Sequence, residues 1–412
     1  MRSTRCLFYF FFLYLVSCTL TEPKMATLKQ DVSIMVIVPD STYLQPNTAC
    51  IVAHEINMNS TYRFEPSGVM NDSTWLFDLS LETGFYDFTY EQQVTIEGHA
   101  LSLRAYQKNC VIQTATTLPA MTASVTMEHN DFVIAEIFFA GTITPEGKQY
   151  TGDKYFVLMN NSDSLLYADG LVLMESKFLT VRRDIVTPDR IDSAMAVDAL
   201  YRVPGDGQQY PVEPGGVILI ADNAMDHRSL NSNSFDLSGA DMEWYDVSSR
   251  ASVTDVDNAD VPNMDKIYCY TQTIWVPHNQ GHKAFAIGRM PQGMSDEQYL
   301  RDYYYPYDYQ LITQAGSFDM SSTAYLFPNE WIVDAVNTSP ATTFQWLVTS
   351  SRLDAGYTYV AETGSDKTRY GKSVRRKSFR DENGRLKVQD TNNSSEDFLT
   401  AQIADPYFFV SQ

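Results

Sequence analysis

The sequence predicts an all-β protein of two β-sandwich domains, the second carrying long loops and short-helix insertions. Three observations carry this expectation. Apolar residues recur in short, often alternating runs bounded by Pro, Gly, Asn and Asp, the period and punctuation of strands rather than helices. The chain has 412 residues and is 44% hydrophobic, enough material for two cores. Neither an internal repeat nor a low-complexity tract breaks the pattern.

In chain order, Val32-Ser33-Ile34-Met35-Val36-Ile37-Val38 alternates before the Pro39-Asp40 turn, and Ala49–Ala53, Trp75–Leu79 and Ala100–Tyr106 follow. Residues 115–127 complete a first sandwich over 29–127. The second, over 128–400, opens with Phe132–Phe139. It continues through Lys154–Met159, the turn Asn160–Asp163, Leu171–Met174, the turn Pro214-Gly215-Gly216 and Val217–Ala221. Polar stretches 176–213 and 222–272 exceed hairpin loops, and segments of that length are commonly functional or hold small helices. Asp192–Leu200 and Ser295–Asp302 are the expected helical pieces, Ile274-Trp275-Val276 a further strand, and 401–412 a C-terminal tail.

The front of the chain resembles a bacterial lipoprotein signal. Arg2 and Arg5 precede an apolar run, Leu7–Val16, that ends in Leu15-Val16-Ser17-Cys18. The resemblance implies a signal peptide over 1–17, lipidation of Cys18 and a tether over 18–28, so that acyl chains hold the protein on a membrane. A plain signal peptide cut elsewhere is the competing reading. Removal of 1–17 leaves 28 Lys and Arg against 51 Asp and Glu, a net charge of −23. A chain this acidic does not seek nucleic acid. The expected location is the outer membrane, on the cell surface. Only Glu22 is acidic just after Cys18, which keeps the periplasmic face open.

Cys50, Cys110 and Cys269 then remain. Cys50 and Cys110 fall in one expected domain, and a disulfide between them would close a loop of about 60 residues worth roughly 4 kcal/mol. Separate buried thiols are the alternative.

IAEIFFAG (134–141), YFVLMNNSDSLLYADGLVL (155–173), PGGVILIADN (214–223), GKSVRRK (371–377) and DTNNSSEDF (390–398) resemble a lamin-tail-type immunoglobulin sandwich. Asn160 and Asn161 stand at that motif's strand-ending asparagine and Asp169-Gly170 at its tight turn; Lys154 and Tyr155 depart from it where an acidic residue is common. Residues 29–127 resemble, more weakly, the transthyretin-like, carboxypeptidase-regulatory domain. The combination is similar to an uncharacterised family of Bacteroidota outer-membrane lipoproteins. That resemblance implies association with TonB-dependent receptors and no catalytic residues.

Several constellations carry potential chemistry. His278 and His282 are four residues apart and, with His227 and Asp222, make a candidate zinc site; Pro277 and Gly281 argue against the helix such spacing needs. For His227 the alternative is a turn capped by Asp and Asn side chains. Asp255, Asp257, Asn258, Asp260 and Asp265 are the ligand type Ca2+ prefers, but they lack the glycine and closing glutamate of an EF-hand. Tyr303, Tyr304 and Tyr305 open a tyrosine run, 303 to 309, that either contacts a partner or places alternate rings on a core. The basic run Lys367, Arg369, Lys372, Arg375, Arg376, Lys377 and Arg380 reads as an exposed edge hairpin or a grip for an acidic partner.

No Gly-x-Ser-x-Gly and no phosphate loop is present. The expected function is therefore a non-enzymatic binding or accessory subunit of an outer-membrane, TonB-dependent type of uptake complex, without a cofactor. The alternatives are a surface adhesin or structural envelope protein and, from another class, a metal-dependent hydrolase.

Overall fold

The computed structural model describes residues 29–412 except 46, 59, 97–98, 127–130, 314–315 and 382; Cys18 and its lipobox lie outside the described residues. The fold is all-β. In the first unit, Lys29–Ile37 pairs antiparallel with Thr74–Glu82, which pairs with Gly68–Asn71, while Thr116–Thr117 and Met121–Thr122 add parallel to Lys29–Ile37. The facing sheet runs Ser124–Thr126, His99–Ile112, Gly84–Ile96, Ala49–Glu55, Ser60–Phe64. Val32, Ile34 and Val36 alternate inward and meet Ile51, Ala53, Phe88 and Tyr90 in one core.

The second unit packs a six-stranded sheet on an eight-stranded one. The first has the order Met242–Glu243, Val217–Ala221, Tyr155–Asn160, Phe132–Phe138, Lys372–Arg376, Phe398–Ile403. The second runs Val186–Thr187, Tyr304–Thr313, Gly316–Pro328, Ala194–Arg202, Leu171–Ser176, Ala284–Arg289, Ile332–Asn337, with Asp265–Cys269 also pairing to Ala194–Arg202. Phe156, Leu158, Leu173, Tyr201, Phe285 and Trp275 fill the space between the sheets. Both outer faces are covered too, one by Phe235, Val261 and Phe409, the other by Tyr299, Trp346 and Val348. Strands such as Phe132–Phe138 and Leu171–Ser176 are therefore buried on both faces, which is why they read as continuous apolar runs.

Four expectations are corrected. Asp192–Leu200 is not helical: Ala194–Arg202 is a strand with three pairing partners, so tertiary pairing overrides the helix-compatible Ala, Met and Leu content, and the stretch 176–213 is partly core. Ile274–Val276 is irregular, because Trp275 spends its N–H on Asp246 and its indole N–H on Glu175. The basic run is an exposed hairpin only at its end, where Ser378–Arg380 pairs with Leu386–Val388. Lys372–Arg376 lies inside the six-stranded sheet, with Arg375 paired to Glu136 (2.7 Å) and Arg376 to Asp334 (2.7 Å), all buried. Residues 401–412 continue the last strand to Ile403 and bury Ala404 and Phe409. The helix expected at Ser295–Asp302 does form, over Asp296–Asp302, with the Ser295 hydroxyl accepting from Gln298 N–H as its N-cap.

Candidate functional site: a cleft between the two units

The outer face of the sheet built on Ala49–Glu55, Gly84–Ile96 and His99–Ile112 lies against segments 344–357 and 393–396 of the second unit, and a cleft of about 220 Å³ opens between them. One wall is a ladder of rings: His54 stands 5.3 Å from Phe344, which stacks on Tyr357 at 4.1 Å and 9°. The Tyr357 hydroxyl is held by the Ala341 carbonyl (3.1 Å). Across from the rings, Glu91 accepts from Asn393 (3.0 Å) and from Arg63 (3.3 Å), whose side chain is 57% exposed and also donates to the Cys50 sulfur (3.3 Å). An apolar stack facing a few placed charges is the usual composition of a small-ligand site, and domain junctions are its usual place.

Charge pairs fix the walls. Asp87 receives both terminal nitrogens of Arg183 (3.1 Å), the Tyr106 hydroxyl (2.8 Å) and the Asn109 N–H (2.8 Å). Lys108 meets Asp189 (2.6 Å), and the Arg104 guanidinium donates to the Asn392 carbonyl. On the second unit, Asp354 accepts from the backbone of Asn337, Gly356 and Ser394 and from two of their side chains, holding 354–356 against 393–395. The two chain segments approach so closely there that a Cβ on Gly356 would lie 2.7 Å from the Ser395 nitrogen. Gly356→Ala is expected to cost about 2 kcal/mol and to displace Tyr357, measured by urea denaturation and by the near-ultraviolet signal of the ring stack; an unchanged variant would mean the contact is soft.

The candidate metal residues do not converge. His227 is buried with both ring nitrogens engaged, by the Tyr150 hydroxyl (2.8 Å) and the Asn223 carbonyl (2.9 Å), in a short 3-10 turn capped by Asp226. His278 and His282 stack face to face at 4.6 Å because Gly281, at φ +66°, folds the segment back. Asp222 is buried beside Lys154 at the end of its strand. Among the described residues no group of three or more His, Cys, Asp or Glu is arranged to hold a metal ion. The acidic loop is spent on its own structure instead: Asp255 accepts from the backbone N–H of Asp246 and Val256, Asn258 from that of Asp260, Asp257 from the Asn263 side chain, and Asp265 pairs with Arg202.

Burial, with His282, Lys283 and Lys154 alongside, pushes the His278 imidazole down to about 3. The unfolded ring titrates near 6.5, so this neutral imidazole supports the fold fully above that pH. Its contribution is lost as pH falls toward 3, at up to about 1.4 kcal/mol per pH unit. His278→Gln is expected to lose about 2 kcal/mol less than wild type between pH 6.5 and 4 in urea titrations; parallel pH slopes would contradict this.

Two further expectations are corrected. Cys50 and Cys110 are both free thiols: their partners on the intervening strand, Glu91 and Tyr86, are five residues apart, about 17 Å along the strand and beyond disulfide reach. Of the three tyrosines, Tyr305 is buried with its hydroxyl on the Pro188 carbonyl (2.6 Å), and Tyr303 packs between Tyr299 and Trp331; Tyr304, 51% exposed, alone faces solvent. The cleft residues escaped sequence reasoning, since no local pattern links His54 and Glu91 to Phe344, Tyr357 and Asn393.

No curated protein matches the chain. Among solved structures, the tip fimbrial protein Mfa3 from Porphyromonas gingivalis, with C-terminal truncation, aligns at a TM-score of only 0.19 and 7% identity, covering 73% of this chain and 92% of that one. A DUF4876 family protein from Bacteroides thetaiotaomicron VPI-5482 superposes with a TM-score of 0.57 at 18% identity, covering 92% of this chain and 97% of that one, which shows a shared fold. Over residues 213–404 the chain matches the family described as protein of unknown function (DUF4876), in keeping with the uncharacterised Bacteroidota family its motifs resemble.

Proposed function

We propose that the protein is an envelope lipoprotein, anchored through Cys18 to the outer membrane and surface-exposed. In this reading it acts without catalysis as a ligand-binding or accessory subunit of a TonB-dependent type of uptake complex, and the cleft between its units takes the ligand. The observation that carries this is the ring ladder His54–Phe344–Tyr357 set opposite Arg63 and Glu91 on walls held by buried charge pairs. Such a site presents a stiff apolar face and a few orienting polar groups, and needs no bound metal. The transthyretin-like and lamin-tail-like identities of the two sandwiches belong to the same reading. A deletion strain complemented with wild type or with Tyr357→Ala tests it: growth on the imported nutrient is restored by the first and reduced at least tenfold in rate at limiting supply by the second. Equal rescue by both would remove the cleft from the account.

A second reading, a surface adhesin, is favoured by one feature. The hairpin Tyr304–Thr313 and Gly316–Pro328 extends its core face past the core, exposing Phe318 and Met320 while Asp308 and Asp319 occupy the other side. Phe318→Asp abolishes cell or matrix attachment under this reading and leaves nutrient growth intact.

A further inference from the structure

Lys154 and Asp222 are cross-strand neighbours. The Asp222 N–H donates to the Lys154 carbonyl (2.9 Å), one step beyond the pair Tyr155 and Ala221. Residues so paired project from one face with Cβ atoms about 5 Å apart. Alternation from Phe156 and Ile220 turns that face toward the space between the sheets, where Trp244 and Trp275 pack on Phe156. Both side chains are more than nine-tenths buried.

A buried lysine ordinarily holds a carboxylate, as Lys283 holds Asp198 at 2.6 Å. Lys154 does not: its ammonium donates to the Pro277 carbonyl (2.9 Å) and forms no ion pair with any described residue. Asp222 accepts from its neighbour Asn223, at 3.2 Å. Glu175 comes from the opposing sheet, fully buried, fixed by the Trp275 indole (3.0 Å) and the His278 N–H (2.8 Å), and acts electrostatically on Lys154. Burial lowers the Lys154 ammonium to about 8 and raises the Asp222 carboxyl to about 8, which brings an amine facing a carboxylic acid within reach of the charged pair.

We propose that Lys154 and Asp222 condense into an intramolecular isopeptide bond that staples the Tyr155–Asn160 strand to the Val217–Ala221 strand. The Nζ lone pair, released from the Pro277 carbonyl by rotation of its four-carbon stem, adds to Cγ of the protonated Asp222 carboxyl, and the C=O π electrons move to oxygen. The Glu175 carboxylate takes a proton from Nζ and returns it to the departing hydroxyl. The C–O bond breaks, one water leaves and the amide remains, with no oxidant, reductant or cofactor required. Two buried ionisable groups disappear in the product, which relieves the cost of holding them dry.

The test is mass spectrometry of the full chain, denatured, reduced and digested. Wild type is expected to give, as the greater part of the material, a branched peptide joining the segments around Lys154 and Asp222 and lighter than their sum by one water. Asp222→Asn gives the same branched peptide with ammonia lost instead, and Asp222→Ala gives none. Recovery of the two wild-type segments unlinked and at full mass, or a missing water that maps elsewhere, overturns the proposal. The wild-type measurement decides the matter even if a variant fails to fold.

Discussion

Arg376→Ala is expected to destabilise the protein by about 3–5 kcal/mol, more than any other single change considered. Its guanidinium, 1% exposed, meets Asp334 (2.7 Å), Asp390 (3.2 Å) and Asp397 (3.3 Å), donates to the carbonyls of Ile134 and Gln389, and lies 4.8 Å over Phe398. Truncation leaves three buried carboxylates without their counter-charge, held only by neutral donors such as the N–H groups of Ile134, Asn392 and Thr391. Burial already raises the Asp334 carboxyl, so without Arg376 it takes up a proton more readily. The loss should accordingly be larger at pH 8 than at pH 5, read from urea midpoints at the two values. A loss below about 1 kcal/mol at both would mean that the network is solvated in solution.

Asp87→Ala is expected to cost about 3 kcal/mol, because it leaves Arg183, the Tyr106 hydroxyl and the Asn109 N–H without their shared acceptor. Its distinctive consequence is local. Hydrogen exchange should accelerate at 344–357, which carries Trp346 with its indole N–H on the Leu179 and Arg182 carbonyls, next to the Arg183 that Asp87 holds. The core strands Phe132–Phe138 and Leu171–Ser176 should exchange as in wild type. Uniform acceleration across both would show that Asp87 supports the first sandwich and not the junction.

These two sites mark where sequence legibility stops. The first sandwich was legible because its strands have one wet face: Val32, Ile34 and Val36 alternate with Ser33 and Met35 in sequence and in burial. In the second unit helices and loops cover both outer faces, so the period vanishes and only apolar runs such as 132–139 and 171–174 betray strands. Ala194–Arg202 carries Asp198 and helix-forming residues and escaped that rule. Arg375 and Arg376 belong to a basic run that reads as solvated in sequence; they are buried because Arg375 finds Glu136 on the adjacent strand and Arg376 finds Asp334 on the edge strand of the other sheet. The alternation from Tyr303 to Tyr309 correctly placed Tyr305 and Tyr307 on a core. Nothing local announces the cleft, whose contacts join positions as distant as Glu91 and Asn393 or His54 and Phe344.

The most direct measurement is native mass spectrometry of the protein extracted in mild detergent from its own membrane, wild type beside Tyr357→Ala, with proteins and small molecules identified in each. Wild type is expected to retain a stoichiometric outer-membrane barrel and a bound small molecule, and the variant to keep the barrel but lose the small molecule. Wild type recovered alone, or a bound species that the Tyr357 change leaves untouched, would contradict that expectation.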